Sequence, residues 1–537
     1  MLTKARSAGT GVRILAGSGA VRPFAPQALA NVAVTYARWG TGPAGGFKML
    51  AQRYPDRLGV IDERGSLTFA EINRRANAVA HQLAARGVTS GDGVAVMCRN
   101  HRGFVDATLA AGKLGADALL LNTAFAGPQL VDVLAREKPA IVVADEEFLP
   151  LLDGAGISTV VAWTDAPAGA STQTLEGLIA AGDPAEMPRP GRSGRVIILT
   201  SGTTGTPKGA PRNDAGVDAA IALLSRMPLR EGWRTHIAAP MFHTWGFAHF
   251  MLTMLLGSTM VLRRRFDPLD ALITLEEQQC DSFVVIPVML QRIMALPAHV
   301  RSQFSLDRVR VVAASGSALA GDLALEWMDA FGDNLYNIYG STEVAYASIA
   351  TPQDLRLAPG AAGKPPWGTV VKIFDEAGRP VPHGRAGRIF VGNGLLFEGY
   401  TGGGGKDVID GLMSTGDVGR FDRDGRLHVE GRDDEMIVSG GENVFPKEVE
   451  DCLTRHPGVV EAAAVGVEDA EFGARLRAFV VVADVEAPTE DELRQWVRSN
   501  LARYKVPREF VVLAELPRNA TGKILKRELM NRESNRG

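Results

Sequence analysis

Three short apolar runs restrict the fold more than any other feature of this chain: VAVMC (94–98), DALLLN (117–122) and AIVVAD (140–145). Each is separated from the next by a segment of helical periodicity, FVDATLAAGKLGA (104–116) and then QLVDVLAREK (129–138). A run with no polar face cannot sit on a sheet that is wetted on one side. A helical crossover also returns the chain parallel to its start, so the pattern predicts parallel sheet covered on both faces. Thr68 with Glu71 forms a capping box ahead of Ile72, Ala76, Val79, Ala80 and Leu83, which share one helical face, and Gly87 ends that helix. The alternation resumes with RVIILTS (195–201), DSFVVIPV (281–288), RVRVVAAS (308–315) and NLYNIYG (334–340). From about Gly363 it gives way to short strands with glycine turns, VVKIF (370–374), RIFVGN (388–393) and RLHVEG (426–431). The last hundred residues alternate on a smaller scale. The expected fold is therefore α/β. A large N-terminal domain holds two parallel-sheet βα subdomains and a small β-barrel-like subdomain, and a small α+β domain follows it.

A chain of 537 residues exceeds a single core, and a net charge of −3 lacks the basic excess of a nucleic-acid binder. Cys98, Cys280 and Cys452 are too scattered for a metal site or a disulfide framework, which suits a reducing, cytoplasmic setting. The first 55 residues carry Lys4, Arg6, Arg13, Arg22, Arg38, Lys48 and Arg53 but no acid. This lead reads as an extension that packs on the body or touches anionic lipid, giving peripheral membrane contact. WGFAHFMLTMLLGSTMVL (245–262), followed by Arg263, Arg264 and Arg265, has the length of a short membrane span. His249 inside it and the Gly257-Ser258 break favour a buried helix, a turn and a strand.

Four strings carry chemistry. TSGTTGTPKG (200–209) departs from a P-loop at two places, since Pro207 stands where the second glycine belongs and Gly209 follows Lys208. Its glycines, hydroxyls and lysine still make an anion cradle. NIYGSTEVA (337–345) places an aromatic, Tyr339, and a hard carboxylate, Glu343, after a strand end. STGDVGRFDRDGRLHVEGRDDEMIVSGGEN (414–443) holds Asp417, Arg432 and the pair Gly440 and Gly441. PRNATGKILKREL (517–529) puts Lys523 after a glycine turn and before a helix.

In this order and at these separations the strings resemble the adenylate-forming superfamily of acyl- and aryl-CoA synthetases, luciferases and peptide-synthetase adenylation domains. The resemblance runs over roughly residues 45–535, and within the superfamily it points to bacterial, mycobacterial-type fatty-acid–CoA ligases. It implies an N-terminal extension (1–44), a large AMP-binding domain (45–433) and a mobile C-terminal domain (434–537). It further implies that Thr200, Ser201, Gly202, Thr203, Thr204, Gly205 and Lys208 grip the β- and γ-phosphates of ATP. Tyr339 would stack on adenine, flanked by Ser315, Gly316 and Ser317, with Gly340 and Ser341 beside it. Thr342 and Glu343 would meet Mg²⁺ and the α-phosphate, and Asp417, with Arg432 close by, would hold the ribose. Lys523 would neutralise charge as the carboxylate attacks the α-phosphorus. Rotation about Asp434 would then withdraw Lys523 and bring Gly440 and Gly441 to a channel for coenzyme A.

In the same resemblance PMFHTWGF (240–247) lies at the acyl pocket, with His243 near the substrate carboxylate and Trp245 as an aromatic gate. No acidic residue occurs between Pro240 and Arg265, so a substrate ammonium would lack a partner and an amino acid is disfavoured. The apolar content suits an alkyl chain. The expected activity is thus an ATP-dependent medium- to long-chain fatty-acid–CoA ligase forming acyl-AMP and then acyl-CoA. The alternatives are a fatty acyl-AMP ligase that loads an acyl carrier protein, or an aryl-CoA ligase. An oligomer is compatible with all three.

Overall fold

The computed structural model describes residues 2–20, 34–35, 39–40, 42–125, 127–165, 173–199, 209–211, 217–341, 343–396, 405–433, 437–439, 442–469, 473–483, 487–502, 505–519 and 522–531. The first apolar runs form the centre of a six-stranded sheet ordered Thr159–Val161, Ile141–Ala144, Gly93–Met97, Asp117–Leu120, Val196–Leu199 and Gly209–Pro211. All its pairings are parallel except the last, at the edge. RVIILTS joins this first sheet, whereas the runs at 281–288, 308–315 and 334–340 lie in an eight-stranded sheet ordered Ser348–Ala350, Leu335–Tyr339, Val311–Ala314, Ser282–Val285, Arg234–Ile237, Thr259–Val261, Leu58–Asp62 and Gly65–Thr68. Its six inner strands are parallel and an antiparallel strand closes each edge.

The capping box opens the helix Phe69–Ala85 as expected: Glu71 N donates to Thr68 Oγ1 at 3.2 Å and Thr68 N to Glu71 Oε2 at 2.7 Å. Its face Ile72, Ala76, Val79, Ala80 and Leu83 is buried, and Gly87 follows at φ +88°. Together with the helix Arg102–Leu114 it belongs to one apolar core that both sheets share. Two polar links cross that core. Arg102 grips Asp62 with contacts of 2.5–3.0 Å, and although burial alone raises the Asp62 carboxyl, these bonds outweigh it and hold it below its ordinary range. Buried Asn100 donates to Ile237 O and Ala239 O at 2.9 Å and accepts from Met241 N at 2.9 Å. It thereby pins to the first sheet the segment that leads into His243.

The strands after Gly363 form a five-stranded antiparallel sheet of Val370–Phe374, Gly387–Gly392, Leu412–Phe421, Val408–Ile409 and Leu427–Arg432. Beyond it, Val459–Asp469, Gly473–Val482 and Glu509–Val512 make a three-stranded sheet packed with the helices Pro446–Leu453 and Glu490–Asn500. The N-terminal helix Leu2–Ser18 lies on the body: Arg230 Nη1 donates to Gly17 O at 2.9 Å, and Glu231 N donates to Ser18 O at 2.8 Å. The end of this helix thus packs on the body. The apolar stretch at 245–262 is the helix Thr244–Leu255, a turn at Gly257 with φ +54°, and the strand Thr259–Val261. Among the described residues no helix is long and apolar enough to cross a membrane.

Candidate active site

In open parallel sheets, ligands collect outside the carboxyl ends of the strands. Four neighbouring strands of the eight-stranded sheet converge here, and three of them lead to candidate residues. Arg234–Ile237 leads to His243, and Ser282–Val285 leads to the segment Ile286, Pro287 and Val288. Val311–Ala314 leads to Ser315, Gly316 and Ser317, and Leu335–Tyr339 leads to Gly340, Ser341 and Glu343. Ser315 Oγ donates to Ile338 O at 2.9 Å and so ties two of these ends together. Gly316 has φ +100°, a conformation closed to most side chains. Gly340 meets the following turn so closely that a Cβ there would lie 2.3 Å from Ala345 O. Ala345 itself has φ +60°, backbone strain of a kind that clusters at functional sites.

The antiparallel sheet brings Asp417 to the same place. Tyr339 Oη donates to Asp417 Oδ2 at 2.5 Å, joining residues 78 positions apart. Burial, and after it the Asp417 charge, holds the Tyr339 hydroxyl well above its ordinary value, so tyrosine remains the proton donor. Asp417 and Arg432 are cross-strand partners, with Arg432 Nη1 3.6 Å from Asp417 Oδ1. Burial raises the Asp417 carboxyl, opposed by the Tyr339 bond and by the charges of Arg432, Lys523 and Lys406.

Lys523 comes from the C-terminal domain. It follows a turn in which Gly522 has φ +77° and Lys523 N donates to Asn519 Oδ1 at 2.9 Å. That turn abuts the large domain so tightly that a Cβ on Gly522 would lie 2.8 Å from Val288 Cγ1. Gln291 Nε2 adds a bond to Val460 O at 3.2 Å. Lys523 and Asp417 are therefore gathered in one site from two domains.

On the substrate side His243 is the N-cap of the helix Thr244–Leu255. Its Nε2 is buried without a hydrogen-bond partner, and burial lowers the imidazole to about 4, so it is neutral near pH 7. Trp245 Nε1 donates to Val285 O at 3.0 Å, which fixes the indole against the strand end. Behind it Phe250, Leu252 and Met254 are buried in the core.

The structure thus brings together Ser315, Gly316, Ser317, Tyr339, Gly340, Ser341, Glu343, Asp417, Arg432 and Lys523, with His243 and Trp245 on the neighbouring strand end. Thr200, Ser201, Gly202, Thr203, Thr204, Gly205, Lys208, Thr342, Asp434, Gly440 and Gly441 lie outside the described residues. The flanks of the first string are described: Leu199 pairs with Gly209 at an edge of the six-stranded sheet. Sequence reasoning missed Lys406, whose Nζ lies beside the Arg432 guanidinium at Gly416. The only signal for it was a cation after the glycine run 402–405. A buried cluster of Cys98, His101 and Asp145 has metal-ligand composition, but His101 uses Nε2 on Asp145 at 2.7 Å and Nδ1 on Gly103 N at 3.0 Å. Both ring nitrogens are engaged, and the cluster is a helix cap.

Small-residue turns at the strand ends, a Tyr–Asp–Arg cluster and a lysine delivered by a second domain are the features of an adenylate-forming enzyme. The chain belongs to the AMP-binding enzyme family, whose model matches residues 47–401, with the AMP-binding enzyme C-terminal domain at 448–523. It is 33% identical over 491 residues to a feruloyl-CoA synthase of Amycolatopsis sp, covering 90% of this chain and 97% of that one. It is 34% identical over 483 residues to a 2-succinylbenzoate–CoA ligase of Geobacillus kaustophilus, covering 88% and 95%. The crystal structure of the anthranilate CoA ligase AuaEII in complex with anthranoyl-AMP superposes with a TM-score of 0.82 at 25% identity, covering 91% and 97%. The protein is an AMP-forming acid–thiol ligase that takes a carboxylate and coenzyme A. These relatives do not bear out the fatty-acid expectation, and the aryl-CoA alternative fits them better.

Proposed function

We propose that the protein is an ATP-dependent aryl-CoA ligase acting on a compact aromatic acid. The observation that carries this reading is Trp245. Its indole, anchored on Val285 O at 3.0 Å, stands two residues beyond His243, where an alkyl chain was expected, and packed core follows it. An aromatic wall rewards a flat ring through offset or edge contacts, whereas a long chain needs an open apolar bore. Ferulate, 2-succinylbenzoate and anthranilate, from the names of the similar proteins, are all ring-bearing acids.

In this reading ATP lies across the strand ends, its adenine against Tyr339 between Ser315, Gly316, Ser317, Gly340 and Ser341. Asp417 accepts from the ribose hydroxyls with Arg432 beside it. The string from Thr200 to Lys208 holds the β- and γ-phosphates. Glu343 is a hard carboxylate beside Ser341, whose Oγ accepts from Glu343 N at 3.3 Å. One such carboxylate, with Thr342 next to it, suits Mg²⁺ that keeps waters and phosphate oxygens as its other ligands. Lys523 sits where charge gathers as the substrate carboxylate attacks the α-phosphorus, and charge stabilisation of this kind is often the largest catalytic contribution. His243, neutral, offers a nitrogen to the substrate carboxyl. Thioester formation follows a rotation at Asp434 that exchanges Lys523 for Gly440 and Gly441. The domains divide accordingly into 1–44, 45–433 and 434–537.

The test is coenzyme A-dependent pyrophosphate release across benzoates, cinnamates and C2 to C20 fatty acids, with an acyl carrier protein as a second acceptor. Aromatic acids should show the highest kcat/KM with coenzyme A. Preference for C12 to C18 acids, or for the carrier protein, would overturn the reading.

A further inference from the structure

Buried polar atoms are nearly always hydrogen-bonded. Three polar atoms on one stretch of the helix beside Trp245 are not: His243 Nε2, Thr244 Oγ1 and His249 Nε2. The first two lie at the helix start, where the substrate carboxyl is expected. His249 is different. It is 1% exposed, more than a helical turn deeper, and no mechanistic role touches it. An aromatic contact holds its ring, with the Trp245 indole at 81° and 4.3 Å between centroids. Trp245 is itself anchored on Val285 O, so indole and imidazole form one fixed corner.

Position along the helix gives His249 a reach. Six residues from His243 correspond to about 9 Å along the axis, somewhat less because side chains lean toward the helix start. A cinnamate-type acid with its carboxyl at His243 spans a comparable length to its para-substituent. Burial keeps the His249 imidazole neutral, lowering it to about 3. A neutral ring can donate from one nitrogen or accept at the other according to tautomer. The unpaired nitrogen therefore suits a hydroxyl, amino or carbonyl group and gives nothing to hydrocarbon.

We propose that His249 is a specificity-determining residue that hydrogen-bonds a polar substituent at the far end of the substrate ring. The preferred substrates are thus aromatic acids whose hydroxyl or other hydrogen-bonding group lies opposite the carboxyl. This deepens the aryl-CoA ligase reading and rests on it. A buried group left without its partner is costly, so the enzyme discriminates against the analogue that lacks the substituent.

The experiment compares 4-hydroxycinnamate with cinnamate, and 4-hydroxybenzoate with benzoate, in coenzyme A-dependent pyrophosphate release by the full chain. The native enzyme should favour the better-fitting hydroxylated acid over its parent by about tenfold or more in kcat/KM, the worth of one buried hydrogen bond. His249→Leu should reduce that ratio to within about twofold, since the orphan atom has gone with its partner. His249→Gln, which keeps a side-chain amide, should restore part of it. A purely structural histidine would change stability in these variants without moving the ratio. Equal use of hydroxylated and parent acids by the native enzyme, with aryl acids still activated, overturns the role of His249 and leaves the aryl-CoA reading standing. Failure to activate any aryl acid overturns that reading itself. The native comparison needs no variant to fold.

Discussion

Removing the Tyr339 hydroxyl should change how the enzyme uses ATP in a pH-dependent way. Tyr339 Oη donates to Asp417 at 2.5 Å, and this bond is the largest of the influences that oppose the rise of the carboxyl by burial. Tyr339→Phe keeps the ring and deletes that donor. A hydrogen bond to a charged group contributes about 1.5–3 kcal/mol, and one pKa unit corresponds to about 1.4 kcal/mol. Arg432, Lys523 and Lys406 still face Asp417 in the variant, so the lower end applies, and the carboxyl rises further. The sign follows directly: a raised carboxyl stays protonated to higher pH, and a protonated Asp417 accepts ribose hydroxyls poorly. The acid limb of kcat/KM for ATP in acid-dependent ATP–pyrophosphate exchange should therefore move toward neutral. Below that limb the variant should lose about tenfold relative to the native enzyme, with a smaller loss at pH 8. An unmoved acid limb and an unchanged KM for ATP, in a variant that melts like the native protein, would refute the coupling of Tyr339 to Asp417.

Three further outcomes follow from the site. Lys523→Ala should lose acyl-adenylate formation by about 10²–10³-fold yet still convert synthetic acyl-AMP and coenzyme A to thioester; Asp434→Pro, by fixing φ at the rotation point, should do the reverse, and equal loss of both half-reactions in both folded variants would contradict the two-conformation scheme. Glu343→Ala should raise the Mg²⁺ concentration needed for half-maximal pyrophosphate release, and an unchanged Mg²⁺ dependence would remove Glu343 from the metal. Because burial lowers His243 to about 4, adenylation should show no histidine titration between pH 6 and 8, and His243→Asn should retain more activity than His243→Ala; a limb near 6.5 that vanishes in both variants would show that the imidazole works in its charged form.

Much of the architecture was legible in the residues because local patterns carry it. The capping box at Thr68, the all-apolar strands and the helix–turn–strand at 244–261 rest on periodicities and caps that involve neighbours in sequence. The strings were legible likewise, since each is a run of chemically apt residues contiguous in sequence. Pairing between distant segments was not legible. Leu58–Asp62 lies parallel to Thr259–Val261, with Thr259 Oγ1 donating to Leu58 O at 2.7 Å across 201 positions. Nothing in two short apolar runs distinguishes that partner from others, so only the packing of the shared core selects it. The bond from Tyr339 to Asp417, across two sheets, and the approach of Lys406 to Arg432, at the antiparallel sheet, are likewise decided by tertiary packing. The acyl side shows the difference most clearly. As sequence, the stretch after His243 is apolar and suits an alkyl chain. In three dimensions Trp245 is anchored on Val285 O and His249 keeps a buried nitrogen without a partner. Whether a polar atom is satisfied depends on every element packed around it, and that is a property of the folded structure alone.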